Sequence, residues 1–285
     1  MLSYASSAAL LASAAFAASK DYTENGANWT GLCATGTEQS PIDLTTDTDT
    51  SDKMEVIGFD YFDFRVANNQ FSATDTTYTA TFSPDSARAN AELQLTFADG
   101  SMSYFTPLQF HFHAPSEHSV DGNLYDLEVH FVHTRKGSNT GAGEIPGAVI
   151  GVFFDTSVAD GTDNAFLDTF FKSVDTRTQF ANFVGVREFL ATVDMTDYWS
   201  YDGSLTTPPC TENIKWSVIK EVQPISAAQL LRFTSRMSGL TDFAGGKGNN
   251  RVVQNLNQRT LFYSGATHLI AGVSAAAFAV AALAF

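Results

Sequence analysis

Five of the chain's six histidines fall between positions 111 and 133. They sit in two short segments, Leu108-Gln109-Phe110-His111-Phe112-His113-Ala114-Pro115-Ser116-Glu117-His118 and Leu127-Glu128-Val129-His130-Phe131-Val132-His133. Side chains alternate faces along a strand. Gln109, His111 and His113 therefore share one face of the first segment, and Phe110 and Phe112 take the other. Two imidazoles two residues apart on a strand can converge on one metal. In the second segment Glu128, His130 and Val132 share a face, opposite Val129, Phe131 and His133. Only one of His130 and His133 can join the first pair. Glu128 favours His130, because a ligand histidine usually donates its second ring N–H to a carboxylate, a carbonyl or water. Gln109 can hold His111 in the same way. The expected ligands are thus His111, His113 and His130, with Gln109 and Glu128 behind them. Three neutral imidazoles suit Zn2+ and leave a fourth position for water, as in a catalytic site. The competing reading is a strand pair carrying ordinary structural histidines, and spacing alone leaves both open.

The elements that must position these residues are mostly strands. Twenty-four Phe, with many Val and Thr, lean toward β structure. Short β-patterned stretches at 55–59, 62–66, 77–82, 92–97, 105–113, 126–133 and 148–154 alternate with turn clusters such as Asp99-Gly100 and Asp121-Gly122. Helical spacing shows at 163–171, through Phe166, Leu167, Phe170 and Phe171. It shows again at 227–236, where Ser226 is placed to cap. No repeat or linker divides residues 20–262, and there is no βαβ rhythm. The pattern predicts one large, mostly antiparallel sheet.

Both ends read as processing signals. Residues 1–18 are apolar, with Ala15-Phe16-Ala17 as an A-x-A-like cleavage site, although the basic start of a signal peptide is missing. Residues 269–285 are apolar and uncharged, slightly short for a spanning helix. The small residues Ser264-Gly265-Ala266 before them suggest a cleaved signal for a GPI anchor, with a retained single span as the alternative. The expected division is a signal peptide at 1–18, a catalytic domain at 19–262 and an anchor or GPI signal at 263–285. This places the chain in the secretory pathway, on an extracellular face or in an organelle lumen, held to a membrane. Cys33 and Cys210 read as a disulfide in that compartment; the alternative is two buried thiols. Asn28-Trp29-Thr30 is a candidate glycosylation sequon. A formal charge of −15 argues against nucleic acid as a partner, since phosphate binding needs Lys and Arg.

The two histidine segments resemble the signature of the α-class carbonic anhydrases. Gln39-Ser40-Pro41-Ile42-Asp43, Tyr201-Asp202-Gly203-Ser204-Leu205-Thr206-Thr207-Pro208-Pro209-Cys210, Asn249-Asn250-Arg251 and Leu256-Asn257 match too, in family order from about Tyr22 to Phe262. The resemblance implies a single, mostly β (α+β) domain with a large twisted, mainly antiparallel central sheet and a few short peripheral helices. It implies zinc on His111, His113 and His130, and reversible hydration of CO2 to bicarbonate and a proton by zinc-bound hydroxide. Thr206 would accept from that hydroxide, and Glu117 would orient Thr206. The Thr206 backbone N–H would help hold bicarbonate or a sulfonamide-type inhibitor, and Thr207 would line the polar side. Val132, Val149, Leu205 and Trp216 would form the apolar wall for CO2. His118, Tyr201 and Ser40 would support Glu117, the Asn249 carbonyl would accept from His113, and Cys33–Cys210 would match the disulfide of secreted members.

The chain departs from the family at one functional position. Fast members carry a proton-shuttle histidine after an Asn-Asn-Gly stretch, and here the sequence reads Asn68-Asn69-Gln70-Phe71-Ser72. Phe71 cannot carry a proton, and no histidine lies between residues 55 and 110. The expected enzyme therefore works without a histidine shuttle. The alternative function is a non-catalytic carbonic-anhydrase-like module displayed for surface binding. Physiological role and oligomeric state are not encoded in these motifs.

Overall fold

The computed structural model describes residues 21–48, 56–60, 70–73, 78–81, 92–97, 99–136, 145–176, 186–240, 243 and 245–264. Strands dominate. In chain order they are β1 (Asp43–Leu44), β2 (Val56–Asp60), β3 (Gln70–Ala73), β4 (Tyr78–Thr81), β5 (Glu92–Thr96), β6 (Met102–His113), β7 (Ser119–Val120), β8 (Asn123–Leu124), β9 (Leu127–Arg135), β10 (Gly147–Asp155), β11 (Tyr198–Ser204), β12 (Glu212–Pro224) and β13 (Phe262–Tyr263). Among the described residues four α-helices accompany them, α1 (Leu32–Thr35), α2 (Ala165–Thr176), α3 (Val186–Leu190) and α4 (Ala227–Met237), with a short 3-10 turn at Val158–Gly161.

Ten strands form one sheet in the order β13-β11-β12-β10-β9-β6-β4-β3, with β5 pairing β6 beside β4 and β2 pairing β5. Every pairing in it is antiparallel except β10 with β12. The expected mainly antiparallel sheet is present, made mixed by that one parallel pair. A small sheet, β1-β7-β8, stands apart from it.

The sequence explains which strands lie deepest. β6 alternates in exposure along its first half, whereas β9 and β10 are buried at every position but the last. Both faces of the middle strands are covered, so two cores form. On one face Phe110, Phe112 and Phe131 meet Phe166 and Phe170 of α2, Phe189 of α3 and Phe233 of α4. Ring centroids there stand 4.4 Å apart for Phe166 and Phe189, and 4.9 Å apart for Phe112 and Phe233. Such contacts let α2 and α4 seal this face through aromatic area that would otherwise meet water. α4 starts at a capping box: Ser226 Oγ accepts from Gln229 N, and Gln229 Oε1 accepts from Ser226 N. On the other face Val132, Val149, Trp199, Tyr201, Trp216 and Val218 form the second core. That face carries the histidines.

Expected strands at 55–59, 77–82, 92–97, 105–113, 126–133 and 148–154 appear with shifted ends, and 62–66 lies outside the described residues. Cys33 and Cys210 are joined, with Cα atoms 5.1 Å apart across 177 residues of sequence. No helix among the described residues is long and apolar enough to cross a membrane. The expected signal at 1–18 and all but the first two residues of the expected anchor lie outside them.

Candidate metal centre

The site is built from sheet register. His111 of β6 pairs directly with His130 of β9. Residues opposite one another on neighbouring strands share a face, so the two imidazoles stand side by side. His113 lies two residues along β6, on the same face. Ring centroids are 5.0 Å apart for His111 and His113, 5.3 Å for His111 and His130, and 4.8 Å for His113 and His130. One ring nitrogen from each lies within 4.8 Å of the others.

Hydrogen bonds set the tautomers, because a carbonyl or carboxylate oxygen only accepts. His111 Nδ1 donates to Gln109 Oε1 at 2.8 Å, which puts the ring's lone pair on Nε2. His113 Nδ1 donates to the Asn249 carbonyl at 2.8 Å. Its Nε2 is buried and makes no hydrogen bond. His130 Nε2 stands 2.9 Å from Glu128 Oε1, short enough to donate but off the ideal line. That leaves His130 Nδ1 for the shared centre. An orphaned buried nitrogen and two more on neighbouring rings make a donor set that fits zinc.

Glu128 is fully buried, and burial alone would raise its pKa. The adjacent His118 and His130 overcome this and hold it below the ordinary carboxylate range. Its Oε2 also accepts the backbone N–H groups of Glu117 and His118 at 2.9 and 3.0 Å, and its Oε1 accepts from His118 Nδ1 at 2.8 Å. Burial lowers the pKa of His130, which Glu128 only partly offsets, so the imidazole is neutral near pH 7 and able to ligate. His118 Nε2 continues to Tyr201 Oη at 2.7 Å, and Tyr201 Oη to Ser40 Oγ at 2.8 Å.

Glu117 lies between two of the histidines. Its Oε1 is 3.4 Å from His113 Nδ1, and its Oε2 is 3.8 Å from His130 Nδ1. Burial pushes its pKa up to about 8, against the pull of the Thr206 hydroxyl and the Arg251 backbone N–H. The Arg251 bond is 2.8 Å. Among the described residues Glu117 Oε2 has no hydrogen-bond partner in good geometry. Thr206 and Thr207 are buried in the loop after β11, where Leu205 N donates to Thr211 O and Cys210 N to Thr207 O.

Beside the histidine row runs an apolar one. Val132, Val149 and Trp216 pair successively across β9, β10 and β12, and Leu205 packs against them. The Trp216 ring is 4.8 Å from His130, held by a bond from its Nε1 to the Ser204 carbonyl. The structure thus brings together every expected ligand, supporting and wall residue. Phe71 pairs with Ala80, which pairs with Phe110; its backbone lies in the row of Phe110, and Thr79 and Ser72 occupy that of His111.

The chain matches the eukaryotic-type carbonic anhydrase family over residues 24–265. It belongs to that family, the alpha class. A carbonic anhydrase from Dunaliella salina is 33% identical over 266 residues, covering 85% of this chain. The chain spans only 43% of that relative's length. A Nostoc carbonic anhydrase is 32% identical over 235 residues, covering 80% of this chain and 76% of the relative. Among solved structures, the alpha-carbonic anhydrase of Thermovibrio ammonificans in complex with sulfanilamide is 30% identical, with a TM-score of 0.58 over 81% of this chain and 89% of that one.

Two residues that pattern reading passes over also shape this carbonic anhydrase site. A Cβ at Gly151 of β10, the residue paired with His130, would stand 2.9 Å from Glu128 Oε1. Arg251, visible in sequence only as part of a motif, is 1% exposed and holds Glu117 through its backbone.

Proposed function

We propose that this chain catalyses the zinc-dependent, reversible hydration of CO2 to bicarbonate and a proton. The observation that carries the reading is the convergence of three imidazole nitrogens beside an apolar row of side chains. His111, His113 and His130 would hold the metal, each oriented by a different acceptor: Gln109, the Asn249 carbonyl and Glu128. Zinc bound there would lower the pKa of a water to near 7, as is established for carbonic anhydrases in general, and its charge would draw Glu117 toward the ionised form.

The chain's own groups then do the orienting. As a carboxylate, Glu117 accepts a hydrogen bond from the Thr206 hydroxyl. A hydroxyl so committed can only accept from the oxygen nucleophile, which fixes where that nucleophile's free lone pair points. Val132, Val149, Leu205 and Trp216 offer CO2 an apolar wall that displaces weakly held water. Thr206 N–H and Thr207 supply the polar side for bicarbonate. The same donors suit a sulfonamide, the class to which the inhibitor of the Thermovibrio relative belongs.

No histidine occupies the shuttle position, so the proton leaves through water to buffer. Turnover should rise with buffer concentration; equal turnover at low and high buffer would sink that part of the reading. The disulfide, the exposed Asn28 and Thr30 of the sequon and the apolar ends support an oxidising, secretory location with membrane attachment.

The test is stopped-flow CO2 hydration by the purified chain, as isolated, after chelation, and after zinc is restored. Activity lost on chelation and regained with zinc is the expected result. A folded, zinc-loaded protein without activity would overturn the reading in favour of a non-catalytic surface module.

A further inference from the structure

Glu117 and Thr206 come from segments far apart in sequence, yet their contact needs alignment to a fraction of an ångström. A buried chain of hydrogen bonds runs from Glu117 to the loop that carries Thr206, reaching it at the neighbouring Thr207. Arg251 N donates to Glu117 Oε1 at 2.8 Å. The same residue's Nη1 donates to Gln39 Oε1 at 2.9 Å. Gln39 Nε2 donates to the Cys210 carbonyl at 3.1 Å, and Cys210 N closes the loop onto the Thr207 carbonyl at 2.9 Å. Gln39 is 3% exposed and Arg251 1%. Neither touches the histidines through any hydrogen bond in this path.

Burying a guanidinium is costly, and a site needing only bulk would be as stable with an apolar residue. What an arginine adds is a rigid fork of donors. Here the fork spans three acceptors, with Nη1 also reaching the Ser40 carbonyl at 2.6 Å and Nη2 the Cys33 carbonyl at 2.7 Å. The fork therefore fixes the backbone of Arg251, and with it the N–H that holds Glu117. Gln39 reads that position on one end and the Thr206 loop on the other.

We propose that Gln39 and Arg251 are positioning residues that set Glu117 in register with Thr206. The inference rests on the role proposed above for that pair. Its test is a set of double-mutant cycles combining Gln39→Ala and Arg251→Lys with Thr206→Ala, each protein checked for near-UV circular dichroism and zinc content. Gln39→Ala and Arg251→Lys should each lower kcat/KM, which does not include the later proton transfer to buffer, on the order of tenfold at full zinc loading, the scale expected of small misplacements. Neither should lower it further in the Thr206→Ala background, because residues acting through one unit are not additive.

A second readout needs no metal. In metal-free protein, amide exchange at Arg251 N–H should quicken in Gln39→Ala, with the β6 and β9 amides unchanged. The proposal is overturned if kcat/KM is unaltered, if the losses are as large without the Thr206 hydroxyl, if Arg251 exchange does not change, or if neither variant folds. Full activity in Thr206→Ala alone would instead overturn the role assigned to Thr206.

Discussion

His133 shows how one buried residue can govern acid stability. It lies on the face of β9 away from the metal centre and is 1% exposed. Burial lowers its pKa from 6.5 to about 4, and hydrogen bonds to the Ala148 and Phe131 backbones offset only part of this. The unfolded chain therefore takes up a proton near pH 6.5 that the folded chain refuses until about pH 4. Stability contributed by the neutral imidazole is whole above pH 6.5 and falls as pH drops toward 4, by about 3 kcal/mol in total. Replacing it by a neutral residue, His133→Gln, should flatten that slope relative to the parent when urea unfolding is followed from pH 7.5 to 4.5 with both proteins zinc-loaded. Parallel slopes would show that another group carries the linkage. Glu128 acts in the same direction, as a carboxylate whose pKa the adjacent His118 and His130 hold below the ordinary range, so its contribution too is lost as pH falls. Glu128→Gln keeps the shape but turns one acceptor into a donor facing donors. We expect zinc affinity to fall about 10- to 100-fold, the usual effect of losing a ligand's outer partner, measurable by competition with a chromophoric chelator. An unchanged affinity would mean that His130 needs no carboxylate behind it.

At the scale of elements, β9 and β10 place the site because their registers are fixed on both sides. Gly151 is where they come closest to conflict. Glu128 cannot move away from a new methyl group without giving up its donors, so Gly151→Ala should destabilise by about 1–3 kcal/mol as overpacking does and weaken zinc binding with it. Gly58 of β2 is the control: among the described residues a Cβ there meets nothing nearer than 3.8 Å, and Gly58→Ala should leave both properties intact. Equal effects at the two positions would remove the close-approach argument. These strands also show what a sequence displays. The alternation in β6 and the Glu128-x-His130 spacing in β9 put three histidines on one face before any coordinates are considered. The helical spacing of Phe166, Leu167, Phe170 and Phe171 likewise announces α2. β11 and β12 escape because β12 is buried on both faces through its middle, which erases the period of two. The parallel pairing of β10 with β12 escapes because its connection is long and winds through α2, α3 and β11 rather than one helix. Arg251 and Gln39 escape for a different reason: their partners lie 134, 171 and 212 residues away, and no local spacing encodes such contacts.

Across the whole molecule, charge is the least balanced property. Thirty-one acidic residues stand against sixteen basic ones. The surface ion pairs, such as Lys136 with Glu92 and Arg232 with Asp175, are partly exposed and contribute little each, commonly under about 1 kcal/mol. Two electrostatic effects of added salt therefore compete. Screening weakens those pairs, and it relieves the mutual repulsion of a surface carrying a formal −15. The second should win, because repulsion sums over all unbalanced carboxylates while each pair acts alone. Its range settles where the change falls. The Debye length is about 30 Å at 10 mM salt, comparable to the domain, and about 8 Å at 150 mM, where distant charges no longer interact. The melting temperature should thus rise by a few degrees over that interval of sodium chloride and flatten beyond it. Unfolding followed by circular dichroism at constant pH, with zinc held in excess, would measure the curve. A flat or falling curve would mean that the carboxylates are spaced too widely to repel, and that the ion pairs outweigh the net charge.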